Sequence, residues 1–145
     1  MAITRMLTCV VIGVIVLLSA DMPSAQSGET FKGRFASVPV TPVTRPTTTG
    51  SGTVTAVLAG NTLTVSGTFD GMNSPATVAH LHRAPKGLRG PNLFDLIVTR
   101  ATSGTVEGRL TLTAVQIEEL KKGWYYVQIH TAQNPEGQLR GWLLK

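Results

Sequence analysis

Cysteine is almost missing: of 145 residues only Cys9 is one, and it lies inside an apolar run near the start. Charge is scarce as well, at 14% against the roughly 25% of an average soluble protein, and aromatic residues make up 6%. Carboxylates such as Asp70, Asp95 and Glu107 occur singly, so the paired acids of glycosidic or proteolytic chemistry are not visible. Serines sit in turns without a Gly-x-Ser-x-Gly context, which leaves serine hydrolysis unsupported. No Asn-x-Ser/Thr acceptor occurs, because Asn73-Ser74 runs into Pro75. No internal repeat is found. The 13 basic and 8 acidic residues give a net charge of +5, a mild attraction to anionic surfaces. The basic residues are scattered and form no helix-turn-helix or aromatic-basic motif, so nucleic acid is not an expected partner.

A mean hydropathy of +0.15 would suggest a membrane protein, but the apolar excess is concentrated in the first twenty residues. Met1 to Arg5 is positively charged, Met6 to Leu18 is apolar apart from Thr8, Cys9 and Gly13, and a Pro23-Ser24-Ala25 step follows. This three-part pattern predicts a secretory signal peptide over residues 1–25, cleaved after Ala25. The 15 uncharged residues between Arg5 and Asp21 fall short of the roughly 18–20 a membrane-spanning helix needs. Cleavage would leave residues 26–145 as one secreted or periplasmic domain with no membrane span. Cys9 would leave with the signal, which excludes a disulfide framework, a thiolate metal site and a cysteine nucleophile from the mature chain.

From Thr30 onward the hydrophobic period is two. Thr53–Leu58 and Thr62–Phe69 are β-branched runs joined by the turn signal Ala59-Gly60-Asn61. In the second run Leu63, Val65 and Phe69 share a face, opposite Thr62, Thr64, Ser66 and Thr68. Similar segments at 31–38, 77–82, 93–98, 105–112, 124–131 and 138–144 bring the total to about eight strands. The fold class is all-β: a single antiparallel Greek-key sandwich or barrel with one short helix. That helix is predicted over Ala114–Lys122, with a Thr113/Gln116 capping box, a stripe of Ala114, Ile117 and Leu120, and Gly123 at its end. Pro39 to Gly52 is too rich in proline for a central strand. Trp124, Tyr125 and Tyr126 are expected to supply core and edge packing, and Trp142 to lie in the core.

Only three histidines occur, His80, His82 and His130. Alternation sets His80 and His82 on one face of their strand, with Ala79 and Leu81 on the other. In the later strand Tyr125, Val127 and Ile129 form the apolar face and His130 points away from it. Two imidazoles two strand positions apart lie within about 7 Å, and a third from a neighbouring strand closes a tripod on one metal ion with a position left open.

Several segments in a fixed order resemble the chordin-type CHRD domain, from about Thr30 to Leu144. They are Phe31–Val38 with its Pro-Val-Thr tail, Ala79-His80-Leu81-His82 with a loop ending in Gly90-Pro91, the Leu112-Thr113…Leu120…Gly123 turn-and-helix, Tyr126-Val127-Gln128-Ile129-His130-Thr131, and Pro135–Gly141. The resemblance implies a CHRD domain over 26–145, of a family found in animal chordins and bacterial secreted proteins. A fainter likeness is to the copper site of copper/zinc superoxide dismutases, where a His-x-His strand, a later strand histidine and a Gly-x-x-Arg-Gly segment follow in the same order. By position, His80, His82 and His130 then match copper ligands and Arg140 the anion-guiding arginine. No fourth histidine, zinc set or disulfide is present, and only ten residues separate His130 from Arg140, so one metal site at most is implied. Relatives usually carry Gly after the second histidine. Here Arg83 stands in that place, and Lys86 and Arg89 make the loop basic, a candidate binding site for an anionic ligand.

The expected function is therefore a secreted binding module holding one transition metal, copper before zinc, with an extracellular ligand or anionic surface as partner. A copper-dependent redox enzyme resembling superoxide dismutase and a metal-free adhesion or interaction module are the alternatives.

Overall fold

The computed structural model describes residues 27–145. The signal segment and Cys9 lie outside the described residues. Eight antiparallel strands form the domain: β1 (Glu29–Ser37), β2 (Ser51–Ala59), β3 (Thr62–Asp70), β4 (Ala76–Arg83), β5 (Asn92–Val98), β6 (Gly104–Thr111), β7 (Tyr125–Thr131) and β8 (Leu139–Trp142). They close into a barrel in the order β1-β2-β3-β6-β5-β4-β7-β8. Within it β4, β5 and β6 are successive neighbours while β3 lies beside β6 and β7 beside β4, the Greek-key arrangement. Of the two expected layouts, the barrel is the one that forms, and it leaves no free sheet edge.

The period-two pattern becomes an inside and an outside. Leu63, Val65 and Phe69 of β3 are buried with Val54, Ala56 and Leu58 of β2, while Thr62, Thr64, Ser66 and Thr68 stay on the outer face. Ala79 and Leu81 of β4 join Tyr125, Val127 and Ile129 of β7 in the same core. Helix α1 (Ala114–Lys121) carries the reciprocal Thr113–Gln116 capping box, and Gly123 follows its end at φ +74°, a conformation that side chains disfavour.

Two packing expectations need correction. Only Ile117 and Leu120 of the helical stripe reach the core, and Ala114 is exposed, because the first turn lies outside the barrel wall. Trp142 is not a core residue. In β8 the inward positions are taken by Leu139 and, just beyond the strand, Leu143, so alternation turns Trp142 outward onto the Tyr126 ring at 4.6 Å.

Candidate metal centre

β4 and β7 are neighbours, with His80 opposite Gln128, His82 opposite Tyr126 and His130 opposite Val78. Because both strands alternate, His80, His82, Tyr126, Gln128 and His130 share the outer face. The face is not bare. The β4–β5 loop and the β7–β8 loop fold over it, leaving His82 and His130 each 8% exposed. The three rings converge with centroids 4.9–5.8 Å apart, and one ring nitrogen from each lies within 4.8 Å of the others.

The loops also fix which nitrogen each ring presents. His82 Nδ1 lies 3.0 Å from the Gly90 carbonyl and His130 Nδ1 lies 2.8 Å from the Pro135 carbonyl. A carbonyl only accepts, so both Nδ1 atoms carry the proton and both Nε2 lone pairs face the cleft. His80 is reversed, with Nε2 3.5 Å from the Asp95 carboxylate and Nδ1 3.2 Å from His130 Nε2. His82 Nε2 is buried and has no hydrogen-bond partner, an arrangement that costs stability unless something electropositive meets it. Burial, more than any neighbour, holds the His82 and His130 imidazoles below their usual 6.5, and the other imidazoles and Arg140 add to the effect. Both rings are thus neutral near pH 7, as ligands must be.

A cavity of about 320 Å³ opens over the cluster and includes Arg89, Gln128 and Arg140. Arg140 is 9% exposed, donates from Nε to Gln128 Oε1 at 2.9 Å, and stacks over Tyr126 at 4.6 Å. Gln128 in turn donates from Nε2 to the Glu136 carbonyl, so its amide is locked between the arginine and the loop. Glu136 pairs with Arg89 at 3.7 Å, joining the two loops at the mouth.

Four basic candidates therefore divide. Arg140 and Arg89 reach the cavity. Arg83 and Lys86 do not: Arg83 pairs with the buried Glu119 of α1, which also accepts from the Tyr125 hydroxyl, and Lys86 lines a different groove. Tyr126, expected in core and edge packing, and Gln128, given no site role from the sequence, both line the cleft; they lie four and two positions before His130 and so share its face, and that spacing is the available signal. The backbone carbonyls of Gly90 and Pro135 carry no such signal.

A Greek-key barrel with a loop-covered polar cleft on its outer face defines an all-β binding module. The family model for the CHRD domain matches residues 32–143, and the chain belongs to that family. No curated protein and no solved structure matches it. Among the described residues no helix is long and apolar enough to cross a membrane.

Proposed function

We propose that this CHRD domain is exported and holds one transition-metal ion on His80 Nδ1, His82 Nε2 and His130 Nε2, copper before zinc. The observation that carries the reading is the orphaned, buried Nε2 of His82 beside two other imidazole nitrogens whose rings are oriented from behind. Three imidazoles bound to one ion place their nitrogens about 3.3 Å apart at the usual 2.0–2.1 Å bond length. The His80–His130 pair already has that separation at 3.2 Å, and the His82 nitrogen, within 4.8 Å of the other two, has at most about 1.5 Å to close. The carbonyls behind His82 and His130 and the Asp95 carboxylate behind His80 are the outer-shell acceptors that metal-bound imidazoles require. An all-imidazole set without thiolate suits copper above zinc by intrinsic affinity. The 1–25 signal supports export.

Titrating the metal-free exported chain with Cu(II) and Zn(II) in a calorimeter tests this. The expected result is one site, tighter for copper, with proton release. His82→Ala or His130→Ala should weaken it by more than about 100-fold and leave the circular dichroism spectrum nearly unchanged. Binding unaffected by either substitution refutes the site and leaves a metal-free interaction module as the better account.

A redox enzyme is the second reading, favoured by Arg140 and Arg89 lining the same cavity as the histidines, where they would attract a small anion. Copper supplies one-electron chemistry when bound. Acid-base support is the weak link, because Gln128 cannot exchange a proton and its amide is committed to Glu136 and Arg140. Copper-loaded protein should therefore consume superoxide slowly. A fast, salt-sensitive rate that falls in Arg140→Ala would promote the enzyme.

A further inference from the structure

A second cavity of about 670 Å³ runs along the outer face of β1 and shares no lining residue with the histidine cleft. Lys32 and Arg34 stand on its wall, with Thr55 and Thr53 directly across on β2. Their side chains leave the strand two positions apart, about 7 Å along it. Trp142 and Lys86 also line the cavity. Gly33 lies between, and a Cβ there would run into the Trp142 carbonyl oxygen, so the bare backbone is what lets β8 approach and the groove take its shape.

The charge in this groove is uncompensated. None of its lining residues is acidic, and the ion pairs formed by Lys and Arg among the described residues use Arg83, Arg89, Lys121 and Lys145, never Lys32, Arg34 or Lys86. Three like charges gathered without a counter-charge repel one another and favour an anionic occupant. The rest of the lining limits its class. Threonine hydroxyls can exchange hydrogen bonds with a ligand's hydroxyls, and the Trp142 indole, backed by Tyr126, offers a flat apolar surface.

Other anions fit less well. An acidic peptide adding itself as a strand needs a free sheet edge, and the barrel is closed. Insertion into an anionic membrane needs clustered apolar side chains, whereas the exposed ones, Val43, Val57, Val78, Leu88, Ile97 and Val115, are dispersed over separate segments. A nucleic-acid strand would call for successive aromatic platforms, and Trp142 is the single aromatic residue in the lining.

We propose that this groove binds an acidic polysaccharide, with its carboxylates or sulfates on Lys32, Arg34 and Lys86 and a sugar ring against Trp142. No lining residue of the groove is a metal ligand, so the two kinds of binding are tested separately.

The test uses the whole exported chain with polygalacturonate and dextran sulfate as probes, against neutral dextran, polyglutamate, single-stranded DNA and phosphatidylglycerol vesicles. Binding to the two acidic polysaccharides alone is expected. Arg34→Gln/Lys86→Gln should weaken it about tenfold or more at low salt. Arg100→Gln/Arg109→Gln removes the same charge from exposed positions elsewhere and should change it less than about twofold. In a Trp124→Phe background the remaining indole, Trp142, should change its emission on binding, and a metal chelator should leave affinity unaltered. Equal losses in the two double variants, tighter binding of polyglutamate, DNA or vesicles, or a silent Trp142 would each overturn the proposal.

Discussion

At the scale of single residues, the cleft works by committing one nitrogen of each ring so that the other is available. This arrangement makes the metal-free chain sensitive to acid. Burial keeps His82 and His130 below 6.5 in the folded state, while the same rings in the unfolded chain take up protons near that pH. The unfolded state then binds more protons, so stability is complete above about pH 6.5 and declines as the pH falls through it toward the lower folded values. The melting temperature of metal-free protein should drop between pH 7.5 and 5.5, and drop less in His130→Ala. Equal acid sensitivity in the two proteins would show that carboxylates, not these rings, set the profile. A second residue acts from behind the site. Gln138 is fully buried, donates to the Thr49 carbonyl at 2.7 Å and to Asn73 Oδ1 at 3.1 Å, and accepts from Asn134 and Thr131. Gln138→Leu should cost about 1–3 kcal/mol in urea unfolding, since its partners stay buried and unpaired. It should also weaken metal binding, because the network holds the loop that offers the Pro135 carbonyl to His130.

At the scale of elements, α1 shows how a short segment can be locally specified and still depend on its neighbours. An eight-residue helix is marginal alone. Thr113 accepts from the Gln116 backbone N–H at 3.3 Å while the Gln116 side chain accepts from the Thr113 N–H at 2.8 Å. Thr113→Ala should therefore lower stability by about 1 kcal/mol in thermal unfolding, and an unchanged melting temperature would show that Leu120 packing alone holds the helix. Glu119 ties the same helix to β4 through Arg83 and to β7 through Tyr125. Burial and the adjacent Glu119 carboxylate both push the Tyr125 hydroxyl up from its usual range, so it remains a donor. This pairing explains why Arg83, next in sequence to a cleft histidine, faces the other way.

At the scale of the whole molecule, the closed ring has seams of unequal strength. β2 and β3 pair along their full lengths, Ser51–Ala59 against Thr62–Asp70. β5 meets β6 only at Ile97–Glu107 and Val98–Val106, and β1 meets β8 only at Ala36–Arg140 and Ser37–Leu139 apart from an isolated Lys32–Leu144 bridge. Short ladders open locally at lower free energy. Amide hydrogen exchange should be faster at these two seams than along β2–β3, and uniform protection around the barrel would count against the assignment. The β1–β8 seam is also where the cationic groove lies, so a bound polyanion should slow exchange there first.

The amino-acid sequence alone sets most strand faces and the capped helix, because a pleated strand alternates with period two and a capping box spans three residues; both are local rules. It therefore placed Leu63, Val65 and Phe69 inside and all three histidines outside. Tertiary structure decided what that outer face became. Pairing β4 with β7 joins His80 and His130, fifty residues apart, and it is the burial of Ala79, Leu81, Val127 and Ile129 in one core that holds those strands together. Two loops then cover the rings and supply carbonyls that any residue type could offer. The sorting of Arg140 and Arg89 into the cleft, and of Arg83 and Lys86 away from it, depends on where Gln128, Glu136 and Glu119 arrive in space. Those arrivals are set by non-local packing, which alternation along a single strand does not encode.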